Sequence, residues 1–432
     1  MKKLNKLTLL VSFCLIFWAG GISLLSGQVI NARLTTSAYT WQQQESDSTS
    51  ADHLRAYQLA QISVGQLGSK NISFHTYMYF STDILEEAND DPRFWLYNCY
   101  LNWRKIADAV DLSLGRQRIY GGVGYGTFDG LQVKYDFKDI FRLKLYGGSL
   151  VSRSNFDNDQ SFDFDKLSWG FHLTTRKLRK TFIGISFAQK SLTPVKYTTP
   201  GVFTEAYRMD NPVDIYQQKL IGLDVSTDLV PKLRINGRFD YSIDAEEVKR
   251  SEFGGRYKLM ENLEVGAEYI YRYPTLYQNS IFSVFPHESN QEYSFLAAYR
   301  LNTVNLTLNV SQVSFKGDDA QRIRFGCNWG VYYVGYFHRA GYSGDSDGLS
   351  LSVNYPVQKN LSVNLGSTFS SYQLSYEDAE TEQALAAVLG VAYQPLKTLT
   401  LQANAQMLKN MYFDRDVRFY FRGSYAFMHR LK

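Results

Sequence analysis

A two-residue hydrophobic period from residue 30 to the C-terminus, connections that alternate between short and long, and a rich aromatic content predict an all-β fold. The predicted architecture is a single transmembrane antiparallel up-and-down β-barrel of 18 to 22 strands, best counted as 22, behind a cleaved signal peptide. The 432 residues include 32 Tyr, 28 Phe and 6 Trp, and such side chains favour strands. They are also too plentiful for a disordered chain. No uncharged run long enough for a bilayer-crossing helix follows residue 27, which excludes a helical multi-span protein. Three Cys cannot build a disulfide framework or a thiolate metal cage.

Taken in order, the chain begins with Lys2, Lys3 and Lys6, an apolar run Leu9 to Ala19, and small residues at Ser26 and Gly27. That is the layout of a secretory signal, with cleavage expected near Gly27. An uncleaved anchor is the alternative, because Leu7 to Leu25 carries no charge. Cys14 lacks the small residue before it that a lipid-modified Cys would want. Removing residues 1–27 takes away three Lys and no acid, so the formal charge falls from +4 to +1. A net charge this small gives no reason to expect a nucleic-acid partner. The division is therefore 1–27 signal peptide and 28–432 barrel, in the outer membrane of a Gram-negative-type bacterium.

The barrel grammar is clearest where Leu131, Val133, Tyr135 and Phe137 alternate with Gln132, Lys134 and Asp136, and where Phe141, Leu143 and Leu145 resume the pattern after Lys138-Asp139. Leu233 to Tyr241, Val265 to Tyr273 and Tyr293 to Leu301 repeat it. Short connections at Lys138-Asp139, Glu261-Asn262, Asn302-Thr303, Pro356 to Asn360 and Gln394 to Lys397 alternate with longer ones at 44–54, 83–92, 152–163, 191–216 and 275–290. Tight turns at one rim and long loops at the other are the habit of outer-membrane barrels. Trp103, Phe137, Tyr257, Tyr299, Tyr355 and Tyr393 stand just before short turns, as an interfacial aromatic girdle would. The run Arg322 to Arg339 is split at Gly330 into two strands. The mature chain enters a strand almost at once, so no large N-terminal plug is expected.

Two segments carry a family resemblance. Arg418 to Phe427 resembles the C-terminal assembly signal of outer-membrane barrels, with Gly423, Tyr425 and Phe427 in the matching positions and Met428 to Lys432 extending beyond them. Residues 111–147 resemble part of the alginate-export-type porins, through Gly115, Arg116 and Gln117 at one strand end and Phe128, Asp129 and Gly130 at the next strand start. The resemblance covers about a tenth of the chain. It implies an outer-membrane conduit, an electropositive pore for an acidic polysaccharide, and contact with the barrel assembly machinery. Arg116 shares parity with Leu112 and Leu114, so it points at lipid unless Gly115 permits a bulge or the strand has left the membrane. A rim salt bridge with Asp129 is the alternative to solute contact.

Polar parity assigns thirteen cations to the lumen: Lys134, Arg142, Lys144, Arg234, Arg238, Arg256, Lys258, Arg272, Arg300, Arg322, Arg324, Arg418 and Arg422. Six acids share that parity, namely Asp136, Asp224, Asp240, Glu264, Glu268 and Glu292. An excess of positive charge favours anions in a pore. The alternative is that these charges pair across strands and hold the wall. The Gly-rich stretch Gly121 to Gly126 lacks the Lys-Ser/Thr ending of a phosphate loop, and reads instead as a loop over the lumen or a turn against a neighbouring strand. Six scattered His offer no metal site, and no nucleophile elbow marks an enzyme. The expected function is passive diffusion of small hydrophilic or anionic solutes, without a cofactor. Export of an acidic polysaccharide, a non-conducting structural or adhesive barrel, and a soluble secreted β protein are the rivals, and a homo-oligomer is left open.

Overall fold

A computed structural model describes residues 28–46, 49–69, 71–85, 91–138, 140–151, 162, 164–175, 178, 180–192, 216–274, 288–342, 344–374 and 380–430. The predicted signal peptide, and most of the connections at 152–163, 191–216 and 275–290, lie outside the described residues. Among the described residues, twenty-two strands form one sheet. The first, β1 (Val29–Ser46), pairs antiparallel with β2 (Thr49–Gly65) on one side and with β22 (Asp416–Arg430) on the other. The sheet therefore returns on itself as a closed up-and-down barrel, which satisfies every strand edge.

The chain divides into two compact units. The first takes in the described residues of Met1–Asn102, Leu296–Val310 and Ala320–Lys432. It holds β1, β2, β3 (Ile72–Asp83) and most of β4 (Arg93–Ile106). It also holds β17 (Tyr332–Gly341), β18 (Asp345–Gln358), β19 (Leu361–Gln373), β20 (Thr381–Leu396), β21 (Leu399–Lys409) and β22. The second, Trp103–Phe295 with Ser311–Asp319, contains β5 (Val110–Ile119), β6 (Gly126–Phe137), β7 (Phe141–Val151), β8 (Leu167–Thr175) and β9 (Thr181–Leu192). It continues with β10 (Tyr216–Thr227), β11 (Leu233–Ser242), β12 (Glu247–Met260) and β13 (Leu263–Arg272). The strands β14 (Asn290–Leu301), β15 (Val304–Phe315) and β16 (Asp318–Trp329) are divided between the two.

Gly330, in a left-handed conformation (φ 57°), does separate β16 from β17. The long connection expected at 44–54 is corrected: β1 and β2 stay paired up to Ser46 and Thr49. Backbone hydrogen bonds do not depend on apolar alternation, so a hairpin of Gln, Ser and Thr continues as strand where a hydropathy pattern stops.

Burial runs opposite to that of a soluble protein. Leu114, Leu131, Tyr135, Leu145, Ile185, Ile221, Leu223 and Phe239 are exposed, whereas Ser113, Gln132, Ser168, Ser186, Gln218 and Asp240 are buried. In β6 the exposed and buried sets occupy alternate positions, as a wall with hydrocarbon outside and polar groups inside requires. Of the six aromatics expected in the girdle, Trp103, Phe137, Tyr257, Tyr355 and Tyr393 are exposed; Tyr299 is half-buried. Leu131→Arg is expected to destabilise the folded barrel in lipid vesicles by about 2–4 kcal/mol, and Gln132→Arg by much less, as read from urea titrations. Equal costs at the two positions would contradict a hydrocarbon-facing Leu131.

Candidate functional site: an inner loop on a charged row

In the Trp103–Phe295 unit, successive strand registers align one side chain per strand into a single row. Lys134 of β6 stands opposite Lys144 of β7, then come His172, Ser186, Gly222, Asp240, Arg250 and Arg272 of β8 to β13. Asp111 of β5 begins it, opposite Lys134. These positions adjoin exposed Tyr135, Leu145, Ile185, Ile221, Leu223 and Phe239, so the row lies on the inner side.

The connection Tyr120–Tyr125 between β5 and β6 lies along this row. Lys144 Nζ donates to the Tyr120 carbonyl at 2.7 Å. A Cβ on Gly121 would meet the His172 ring, and one on Gly122 would overlap Ser186. Both glycines have positive φ (112° and 59°), so backbone and space each demand glycine there. The Val123 amide donates to Ser186 Oγ at 3.0 Å, and Arg238 Nη2 to the Gly122 carbonyl at 3.0 Å. Val123 is buried with Ala188 and Leu220. Its side chain occupies the space a Cβ on Gly222 would need, 2.5 Å from that position. Lys190 Nζ sits 3.1 Å from the centre of the Tyr125 ring. Burial raises the Tyr125 phenol above its ordinary range, so it stays neutral. The small residues in the middle of the row thus form a seat for the loop.

The base of the loop is held by the six motif residues, which form three consecutive cross-strand pairs: Gly115 with Gly130, Arg116 with Asp129, and Gln117 with Phe128. Arg116 grips Asp129 through Nε at 2.7 Å and Nη2 at 2.6 Å. Gln117 donates to the Ser113 and Gly130 carbonyls at 3.2 Å each and accepts from Gln132 at 2.9 Å. Phe128 is fully enclosed beside Ile119 and Tyr146. All six are therefore packed in the wall where the loop begins and ends, with Gln117 and Phe128 on its inner side and the Arg116–Asp129 pair at the parity of exposed Leu114 and Leu131.

The thirteen predicted inner cations are less free than their count suggests. Arg142 pairs with Asp136 at 2.6 Å, Arg234 with Asp228 at 3.0 Å, Arg256 with Glu264 at 3.8 Å, Arg272 with Glu252 at 3.0 Å and Arg418 with Asp416 at 2.6 Å. Arg238 pairs with Asp240 at 3.1 Å and Asp224 at 3.8 Å, and Lys258 pairs with Glu261. Arg300 donates to Asn305 at 3.2 Å. Arg322 stands opposite Arg339. Arg324 and Arg422 adjoin exposed Phe325 and Phe421. Of the cluster Arg234, Arg238 and Arg256, the registers bring Arg234 and Arg256 directly opposite each other, while Arg238 reaches the loop instead. The lysines 134, 144 and 190 have no carboxylate partner among the described residues.

Beyond the loop, the row ends in a cavity of about 560 Å³ walled by Val123, Tyr125, Leu220, Tyr273, Pro274 and Phe315, with Gln218, Asn290, Glu288 and four cations. The cations are Arg238, Lys249, Arg250 and Arg272. Lys249 and Arg250 are consecutive yet line the same cavity, because the β11–β12 register slips opposite Asp240 and Tyr241. Sequence reading missed both. Arg250 shares parity with Arg256 and could have been found; Lys249 depends on the bulge. The Tyr273 phenol is raised, first by burial and then by the nearby Glu247 carboxylate. Among the described residues, no group of three or more His, Cys, Asp or Glu could hold a metal ion.

No family model and no curated protein matches the sequence. Solved structures match in shape. The ferric enterobactin receptor PfeA from Pseudomonas aeruginosa, in complex with enterobactin, is 10% identical, with a TM-score of 0.58 over 92% of this chain and 81% of that one. A BenF-like porin from Pseudomonas fluorescens Pf-5 is 11% identical, with a TM-score of 0.42 over 94% of this chain and 100% of that one. The outer membrane protein OpdK from Pseudomonas aeruginosa is 10% identical, with a TM-score of 0.43 over 93% of this chain and 99% of that one. The likeness is one of fold, that of the Gram-negative outer-membrane barrel. It does not single out the alginate-export type that residues 111–147 resemble.

Proposed function

We propose that the protein is an outer-membrane channel through which small hydrophilic solutes diffuse, with Tyr120–Tyr125 narrowing the passage. The observation that carries this reading is the polar, ion-paired inner row with a loop seated on part of it and a cavity left at its end. Residues 1–27 act as the export signal, and Gly423, Tyr425 and Phe427 as the pattern read by the barrel assembly machinery. Lipid surrounds the exposed apolar positions. The field inside is weakly positive: among the described residues, seven of the predicted cations carry a carboxylate, while the predicted Lys134 and Lys144, and Lys190 beside them, carry none. Anions then pass somewhat more easily than cations.

Purified protein in planar bilayers tests this directly. Step currents with a reversal potential of modest anion preference are expected in a salt gradient, and Lys134→Gln with Lys144→Gln should move it toward cations. Strong block by alginate would favour polysaccharide export. Silence in bilayers would leave a structural or adhesive barrel.

A further inference from the structure

The cations that line the cavity at the end of the row are all paired. Arg238 faces Asp240 and Asp224, Lys249 pairs with Glu247, and Arg250 and Arg272 share Glu252, with Oε2 at 2.7 Å and Oε1 at 3.0 Å. Asp240 and Glu288 are on the wall, while Asp224, Glu247 and Glu252 pair the cations from outside the lining. Among the described residues each of the four cations thus already has a carboxylate partner. A site built for an anion would leave a cation unpaired, and this one does not.

What the cavity offers instead is a dense set of fixed donors and acceptors beside apolar rings. Gln218 is 2% exposed, lines the cavity and keeps a carboxamide oxygen without a hydrogen-bond partner among the described residues. A buried polar atom left unmatched is costly unless something supplies the missing bond. Tyr125, Tyr273 and Phe315 provide flat apolar surfaces within the same space. A hydroxyl both donates and accepts, so one can bond a carboxylate and a guanidinium that are already paired to each other. Several hydroxyls on a compact ring, with C–H faces for the aromatic side chains, satisfy both kinds of wall without any net charge. The volume lies within the ordinary range for small-molecule sites, about 300–1,000 Å³.

We infer that this cavity is a binding subsite for a neutral sugar, a mono- or disaccharide. Its place on a transport route rests on the channel reading above; the binding itself does not. Calorimetric titration of the full chain in detergent with maltose and with sucrose is expected to give saturable binding by at least one of them, with a Kd of about 1 mM. Gln218→Leu and Tyr273→Ala should each weaken that binding about tenfold or more, in protein whose heat-modifiable gel mobility marks it as folded. Saturable binding of sodium gluconate or inorganic phosphate in place of both sugars would overturn the inference. So would sugar affinity unchanged in both variants, or the lack of saturable sugar binding. Sugar binding by a protein silent in bilayers would keep the subsite and remove the channel; step currents without sugar binding would do the reverse.

Discussion

Replacing Tyr120–Tyr125 by a two-residue Asn-Gly turn is expected to raise single-channel conductance about two- to threefold, because the bare inner wall leaves a wider lumen. The loop touches five successive strands, from Lys144 on β7 through His172 and Ser186 to Gly222 and Arg238 on β11. A tight hairpin still joins β5 to β6, so the strand register has no reason to change. Gly222→Val supplies the matching test without shortening anything: its added carbons compete with Val123 for one position, unseating the loop and making the open current noisier. Conductance unaltered by the short turn would mean that the loop lies clear of the ion path.

The outward half of this protein was legible in its sequence, and the inward half only in part. Leu131, Tyr135 and Phe137 reveal β6 because lipid demands apolar side chains at every second position. Strand count and the break at Gly330 follow from the same demand. Inside the barrel no comparable rule operates, since Ser, Gly, Lys and Asp are all tolerated in a polar lumen. Parity could place Arg238 on the inner face, but its bond to the Gly122 carbonyl joins residues 116 positions apart. Small Ser186 and Gly222 gave no signal that a loop rests on them. Alternation also misleads wherever a strand slips. Phe94, Leu101 and Trp103 of β4 are all exposed although Phe94 has the opposite parity. Tyr97 meanwhile stacks on Tyr77 at 4.8 Å. The lumenal cation count had the same weakness, because Asp228, Glu252, Glu261 and Asp416, which neutralise four of those cations, were not counted with them.

Breaking the Arg116–Asp129 pair is expected to cost about 3–5 kcal/mol of stability, the largest effect of any single substitution considered. The pair is bidentate, Arg116 is 7% exposed and Asp129 21%. Both share the parity of exposed Leu114 and Leu131, and their register has no bulge, so the charges stand on the outward side of the wall. Arg116→Leu would leave a lone carboxylate where little water can reach it, and Asp129→Leu a lone guanidinium. Because two charges taken out of water together gain little over well-packed apolar groups, the double replacement by Leu should recover most of what either single one loses. A double-mutant cycle in lipid vesicles, followed by urea unfolding, measures this coupling. A pair bathed in water would behave otherwise: each single change would cost under about 1 kcal/mol and the coupling would vanish in high salt. That result would move Arg116 and Asp129 to a solvated rim and leave the loop base held by Gln117 and Phe128 alone.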